Sequence, residues 1–392
     1  MQGIKDRVAI IGMGCTNFGE KWEQSANDLI VDAAYEAFED AGVEPKDIQA
    51  GWVGTTTSGV RGTMLSMPLK LEYIPITRIE NACATGTDAF RNACYAVAAG
   101  IYDFVLALGV EKLKDSGYAG LAPFRPISSR VEPPVPPPVQ FALAATRYFS
   151  HYGLSYEEGK NILAKISMKN HHNGTLNPKA HLRREVTLEQ VINAPIIAWP
   201  LGLFDCCGVS DGAAAAIITR TDIAKKMRKD YVTVKALGVA CGAYQAGLQD
   251  DYDFVHFQET VMAGKMAFQE AGIKNPREEI DMAEVHDCFT ITEMLIYEDL
   301  GFSPRGKAKE DVESGFFTLE GGLPVNTDGG LKCFGHPVGA SGIRMLYEVY
   351  KQLQGKAGPR QLKKIDLGLT HNLGGLPGQF TCAVSIIGRG AS

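Results

Sequence analysis

The chain lacks any run of about 18 or more apolar residues, the length a membrane-spanning helix needs. It also lacks a basic surplus. Its 39 Lys and Arg are outnumbered by 45 Asp and Glu, which leaves a net charge of −6. Nothing in that balance would neutralise a phosphate backbone, and this argues against a nucleic-acid partner. The opening residues, Met1 to Val8, lack the charged start and long apolar stretch of a secretory signal, so a cytoplasmic location is expected. The acceptor triplet Asn173-Gly-Thr175 therefore carries little weight. The nine cysteines are scattered and include no Cys-x-x-Cys pair. Cys206 and Cys207 are adjacent, which is poor spacing for a shared ion, so no bound metal is expected.

What the chain does have is length, glycine and a repeated text. Its 392 residues are 45% hydrophobic, enough for a large core or two medium ones, and 43 are Gly, which suits tight turns and close packing. Val8 to Gly12 reads as a buried strand. Ser25 to Ala41 follows as a helix with Ile30, Ala33, Ala34, Ala37, Phe38 and Ala41 on one face, and Gly51 to Gly54 as a short strand. The order returns later: strand Val232 to Ala240, helix Phe257 to Ala271, strand Met282 to His286. Ala37-Phe38 and Ala41-Gly42 match Ala267-Phe268 and Ala271-Gly272 at the same interval, which points to internal duplication. Helices over 81–100 and 337–354 precede the strands 104–109 and 365–370. Strands 213–219 and 380–387 would close the two halves. Alternating helices and apolar strands imply mostly parallel, helix-covered sheets. The expected division is 1–111 with 206–225 as one half, 226–392 as the other, and an insertion over 112–205. That insertion includes the proline run from Pro133 to Pro138, which reads as extended and stiff, and continues with helices near 140–152 and 156–170.

Glu80-Asn-Ala-Cys-Ala-Thr-Gly86 sets Cys83 at a helix start, where free N–H groups and the helix dipole favour a thiolate. Its own N–H can also face a developing oxyanion. Gly335-His-Pro-Val-Gly-Ala-Ser-Gly342 sets His336 at the equivalent place in the second half. A pseudo-twofold relation would bring Cys83 and His336 face to face. His286-Asp-Cys-Phe289 and His371-Asn-Leu-Gly-Gly375 lie at strand ends, where α/β sheets place ligands.

These segments resemble the thiolase superfamily over essentially the whole chain. The His-Asp-Cys-Phe and His-Asn-Leu-Gly-Gly segments are similar to the sterol-carrier-protein-type branch. The resemblance implies an α/β thiolase fold, with two duplicated βαβαβαββ halves in a five-layered α-β-α-β-α sandwich and a loop insertion in the first half. It implies a coenzyme-A-dependent acyltransferase that breaks or makes a carbon–carbon bond through an acylated Cys83, with His336 as base. Common thiolases carry a second cysteine where this chain has Asn372. In the sterol-carrier-protein-type branch it comes from His-Asp-Cys-Phe, which makes Cys288 the acid/base. Cys382, inside an apolar strand, reads as structural.

By the same resemblance, His286 and His336 would hold the enolate oxygen, and the N–H groups of Cys83 and Gly374 the tetrahedral oxyanion. Asn372 and Asp287 would support them, Asp287 turned away from the enolate. No tightly bound cofactor is implied, coenzyme A and acyl-CoA being substrates. A homodimeric core is expected. Relatives of this branch often work with a small zinc-ribbon and oligonucleotide-binding-barrel partner that completes the coenzyme A site. Arg183-Arg184 is the best basic candidate for the nucleotide phosphates within the chain itself, and a solvated helix face is the blander reading.

Other activities on this fold are hydroxymethylglutaryl-CoA synthase, ketoacyl synthase and a non-catalytic acyl-CoA scaffold. The substrate is less legible. Phe124, Phe141, Tyr148 and Phe149 either line a bulky acyl pocket or pack the core. The chain is also similar to thiolases of anaerobic aromatic degradation, which cleave an aroylsuccinyl-CoA such as benzoylsuccinyl-CoA. Arg61 or Arg125 would then meet a free carboxylate.

Overall fold

The computed structural model describes residues 3–116, 136–245 and 252–390. Phe124, Arg125 and the start of the proline run, Pro133, Pro134 and Val135, lie outside these residues.

The first half runs β1 (Val8–Cys15), α1 (Ala26–Ala41), β2 (Ala50–Gly54), β3 (Ile76–Ile79), α2 (Thr85–Ala98) and β4 (Phe104–Glu111). The Ser25 hydroxyl accepts from Asp28 N, and the Asp28 carboxylate accepts from Ser25 N, a capping box that starts α1. Gly42, at φ 69°, ends it in the left-handed conformation that glycine tolerates. The insertion contributes α3 (Pro137–His151), α4 (Tyr156–Thr175) and a two-stranded ribbon, β5 (Ile196–Ala198) with β6 (Leu201–Gly202). β7 (Gly212–Arg220) returns to the first half. The second half runs β8 (Val232–Cys241), α5 (Gln258–Ala271), β9 (Met282–Glu284), α6 (Thr290–Asp299), α7 (Ser341–Leu353), β10 (Leu367–Gly374) and β11 (Thr381–Arg389).

Strand order demonstrates the duplication. The first half orders β2-β4-β7-β1, the second β9-β10-β11-β8, and both have one parallel pair followed by antiparallel ones. β3 adds an edge to the first leaf, and a single bridge from Ala283 to Val325 takes its place in the second. The two leaves join at one seam. β1 and β8, equivalent strands, pair antiparallel through Ala9–Thr233 and Ile10–Val232 and make one nine-stranded sheet. α2 and α7 pack on each other between the leaves, while α1 covers the outer face of the first and α5 that of the second. This is the expected five-layered α-β-α-β-α order, but the sheet is mixed rather than mostly parallel as expected. β2-β3, β2-β4 and β9-β10 are parallel; the other five pairings are antiparallel because β7, β1, β8 and β11 are joined edge to edge without helical crossovers between like-directed neighbours.

Three elements differ from expectation. β3 is too short and too mixed, Ile-Thr-Arg-Ile, to stand out by pattern. α3 starts inside the proline run because Pro137 and Pro138 occupy its first turn, where no N–H is needed. α4 extends to Thr175. Its later residues Asn170, His171 and Asn173 are buried by polar contacts rather than an apolar stripe.

The central helix α7 carries Arg344, which is fully buried. Such a charge needs partners; it donates to Glu284 at 2.9 Å and Asp328 at 2.5 Å.

Candidate active site

The turn into α2 presents the nucleophile. Ala82 sits at φ 47°, a strained position for a residue with a Cβ, costing about 1–3 kcal/mol. The turn is held by Ala84 N to Asn81 O (3.0 Å), by Asn81 N to Thr85 Oγ1 (2.8 Å) and by Asn81 Nδ2 to Asp88 (2.6 Å). Cys83 follows, partly buried, with its sulfur facing the second half.

His336 arrives from the equivalent turn before α7. Its Nε2 lies 3.3 Å from Cys83 Sγ, and its Nδ1 2.7 Å from Ser341 Oγ. The Ser341 hydroxyl donates its one proton to the Pro337 carbonyl at 3.0 Å. Its oxygen must therefore accept from Nδ1–H, which leaves Nε2 as an acceptor aimed at the Cys83 thiol. His286 stands beside His336, ring centroids 5.4 Å apart and nearly perpendicular. The Cys83 sulfur and one ring nitrogen of each histidine lie within 4.8 Å of one another, a set that could also converge on a metal ion.

Burial sets the protonation states. Cys83 is pushed up to about 12, first by desolvation, then by the charges of Glu111 and Glu80. His336 is pushed down to about 3 by burial and then by Arg344, with Glu111 opposing. The helix start was expected to favour a thiolate; burial outweighs it, and the resting pair is thiol and neutral imidazole. Burial also holds His286 far below its usual range and Cys288 far above, so Cys288 carries its proton.

Cys288 lies buried between β9 and α6, its sulfur 3.7 Å from Thr292 Oγ1. Asp287 accepts from Leu331 N (2.6 Å), Lys332 N (3.2 Å) and Asn170 Nδ2 (2.9 Å). Its carboxylate is thus committed to the 330–332 turn and α4. Asn372 accepts from Thr87 Oγ1 of α2 at 2.7 Å. His371, one residue away on β10, pairs instead with Thr260 (3.0 Å) and the Cys382 sulfur (3.3 Å). Gly374 packs on the Cys83 turn: a methyl there would stand 2.0 Å from Asn81 O and 3.0 Å from the amides of Cys83 and Ala84.

Other expected residues are core or exposed. Phe141 is buried, stacked on Phe289 at 4.6 Å, and Tyr148 and Phe149 are also core. Arg61, Arg183 and Arg184 are exposed, the last two on a loop rather than on the expected helix face. Three residues outside the expected set adjoin the site. Ser341 was visible within the Gly335–Gly342 motif. Glu111 had no signal beyond its place at a strand end. Cys207, whose amide donates to Cys288 O at 2.8 Å, was hidden by its neighbour Cys206.

Comparison with known proteins agrees with this geometry. The thiolase N-terminal domain model matches residues 8–222, and the thiolase C-terminal domain-like model residues 240–388. The chain belongs to the thiolase family. It is 40% identical to acetyl-CoA acetyltransferase of Methanothermobacter thermautotrophicus, over 97% of this chain and 99% of that one. It is 33% identical to sterol carrier protein 2 of Gallus gallus (95% and 70% covered), and 32% identical to benzoylsuccinyl-CoA thiolase subunit BbsB of Thauera aromatica (95% and 96%). Among solved structures, the Ltp2-ChsH2(DUF35) aldolase superposes with a TM-score of 0.85 at 24% identity, with 99% of each chain covered. These matches place the chain in the sterol-carrier-protein-2-like branch of the superfamily. It is a thiolase-type acyltransferase of a family that uses CoA thioesters. None of its described helices is long and apolar enough to cross a membrane.

Proposed function

We propose that this thiolase interconverts a 3-ketoacyl-CoA and two shorter acyl-CoAs by ping-pong acyl transfer on Cys83. The observation that carries the reading is the 3.3 Å approach of His336 Nε2 to Cys83 Sγ, with Ser341 fixing the tautomer. In the cleavage direction His336 takes the thiol proton and the sulfur attacks the keto carbon. The tetrahedral oxyanion faces the N–H groups of Cys83 and Gly374. The carbon–carbon bond breaks, and the leaving acyl-CoA departs as an enolate whose oxygen meets His286 and His336, the latter now donating from Nε2. Cys288 delivers its proton to the α-carbon. Its thiolate then takes the proton of the incoming coenzyme A thiol, whose sulfur attacks the acyl group, and Cys83 leaves and recovers its proton from His336. In the condensing direction Cys288 takes that proton instead.

The substrate we propose is short-chain, acetoacetyl-CoA in the cleavage direction. Relatives 40% and 38% identical over nearly their whole length are acetyl-CoA acetyltransferases, and Phe141, Tyr148 and Phe149 are spent on the core. Benzoylsuccinyl-CoA is the second reading, favoured by the 32% identity to a subunit acting on it. Cleavage assays with coenzyme A and each substrate separate the two, and cleavage of neither overturns both.

The same reading treats 1–111 with 206–225 and 226–392 as the thiolase halves and 112–205 as the insertion. It takes the active core as a homodimer. It adds a small zinc-ribbon, oligonucleotide-binding-barrel partner to complete the coenzyme A site, supported by the lack of a convincing basic cluster in the sequence of the insertion and by the DUF35 protein named with the aldolase.

A further inference from the structure

We propose that Glu111 is a positioning residue for the Cys83–His336 pair, its carboxylate tying the loop after β2 to the segment that carries His336. The inference rests on the proposed roles of Cys83 and His336.

Glu111 ends β4 and is completely buried. A buried carboxylate is costly unless its oxygens are satisfied. One oxygen accepts from Thr55 Oγ1 (2.9 Å), Thr57 N (2.9 Å), Thr57 Oγ1 (3.1 Å), Ser58 N (3.0 Å) and Ser58 Oγ (2.7 Å). The other accepts from Thr56 N (2.8 Å), Thr56 Oγ1 (2.6 Å) and Gly339 N (3.1 Å). Every donor is a main-chain N–H or a hydroxyl. Burial alone would raise its proton affinity, but these bonds hold it below the usual carboxylate range, so it is ionised at neutral pH.

The last bond crosses between the halves. Gly339 lies three residues beyond His336, and its carbonyl stands 2.2 Å from where a methyl on Gly109 would be. The segment has no slack there, and a shift of Gly339 carries Pro337 and His336 with it. Only a carboxylate serves both donor groups. Glutamine would present an NH2 to Thr56 N and Gly339 N or to the Thr57–Ser58 group, donor against donor. The charge also sits close enough to raise the proton affinity of both His336 and Cys83. It favours the imidazolium that forms when His336 takes the thiol proton and disfavours the thiolate left behind, so the two effects oppose each other and the role argued here is one of position.

The test is alkylation of Cys83 by iodoacetamide, followed by peptide mapping, in wild type, Glu111→Gln and Glu111→Asp. Exposed Cys241 is the internal reference and buried Cys94 reports loosening. Displacing the base by a fraction of an ångström should slow Cys83 about tenfold in Glu111→Gln, with Cys241 unchanged. Glu111→Asp, which keeps the charge, should recover part of the rate. A purely structural role predicts the opposite sign: a loosened chain in which Cys83 and Cys94 both label faster, and that result overturns the proposal. So does labelling of Cys83 at the wild-type rate. Wild-type Cys83 labelling no faster than Cys94 would instead sink the nucleophile assignment. Should Glu111→Gln not fold, Thr56→Val removes one donor from the oxygen that holds Gly339; a severalfold slower Cys83 supports the proposal and an unchanged rate overturns it.

Discussion

Ser341 Oγ accepts from His336 Nδ1 at 2.7 Å while donating to the Pro337 carbonyl. That single hydroxyl decides which nitrogen of His336 is free to act as base. Serine here does the tautomer-fixing work that a carboxylate does in other nucleophile–histidine pairs, without adding a charge to a buried site.

Removing that hydroxyl should therefore injure chemistry more than binding. Ser341→Ala is expected to lower kcat roughly 10- to 100-fold, within the range for general-base assistance, with KM within about twofold. Ser341→Thr should restore most of the loss. Steady-state kinetics on the three proteins checks it.

The protonation states make a pH prediction. His336 is neutral above about 3 and Cys83 keeps its proton below about 12, so between those limits the pair as a whole neither gains nor loses a proton. The small fraction present as thiolate–imidazolium is then independent of pH. Iodoacetamide labelling of Cys83 should be flat from about pH 5 to 9. In His336→Ala only the free thiolate reacts, and the rate should climb about tenfold per pH unit over the same range. A wild-type profile with a midpoint near 8.5 would mean an ordinary thiol.

Cys288→Ala should leave Cys83 acylation largely intact and slow exchange of the α-protons of bound acyl-CoA by several orders of magnitude. Deuterium exchange followed by mass spectrometry reads this directly. Undiminished exchange would remove Cys288 from the acid/base role.

Gly374→Ala tests the packing around the nucleophile turn. The added methyl meets Asn81 O at 2.0 Å, so the Cys83 turn must move. Overpacking of this kind costs about 1–3 kcal/mol, and acylation should fall by more than the lost stability explains. Comparing thermal melts with single-turnover acylation separates the two effects.

Much of this was legible in the sequence, for definite reasons. The halves showed because Ala37-Phe38 and Ala267-Phe268 sit on helices pressed to equivalent strands, and close packing there admits few side chains. Cys83 and His336 stood out because their motifs surround them with glycines and small residues that the turns require, and His286 and Cys288 because His-Asp-Cys-Phe follows a strand and resembles a family motif. Glu111 was silent because its role comes from eight donors, all but one on a loop some fifty residues earlier in the chain. Cys207 was silent because register with Cys288 is a tertiary fact. The thiolate expectation for Cys83 missed because position at a helix start can be read from sequence and depth of burial cannot.

The most direct test of the account is incubation with acetyl-CoA followed by intact mass and peptide mapping. The account predicts a single acetyl adduct on Cys83, absent in Cys83→Ala and discharged by coenzyme A. An adduct on another cysteine, or one that persists in Cys83→Ala, would contradict it.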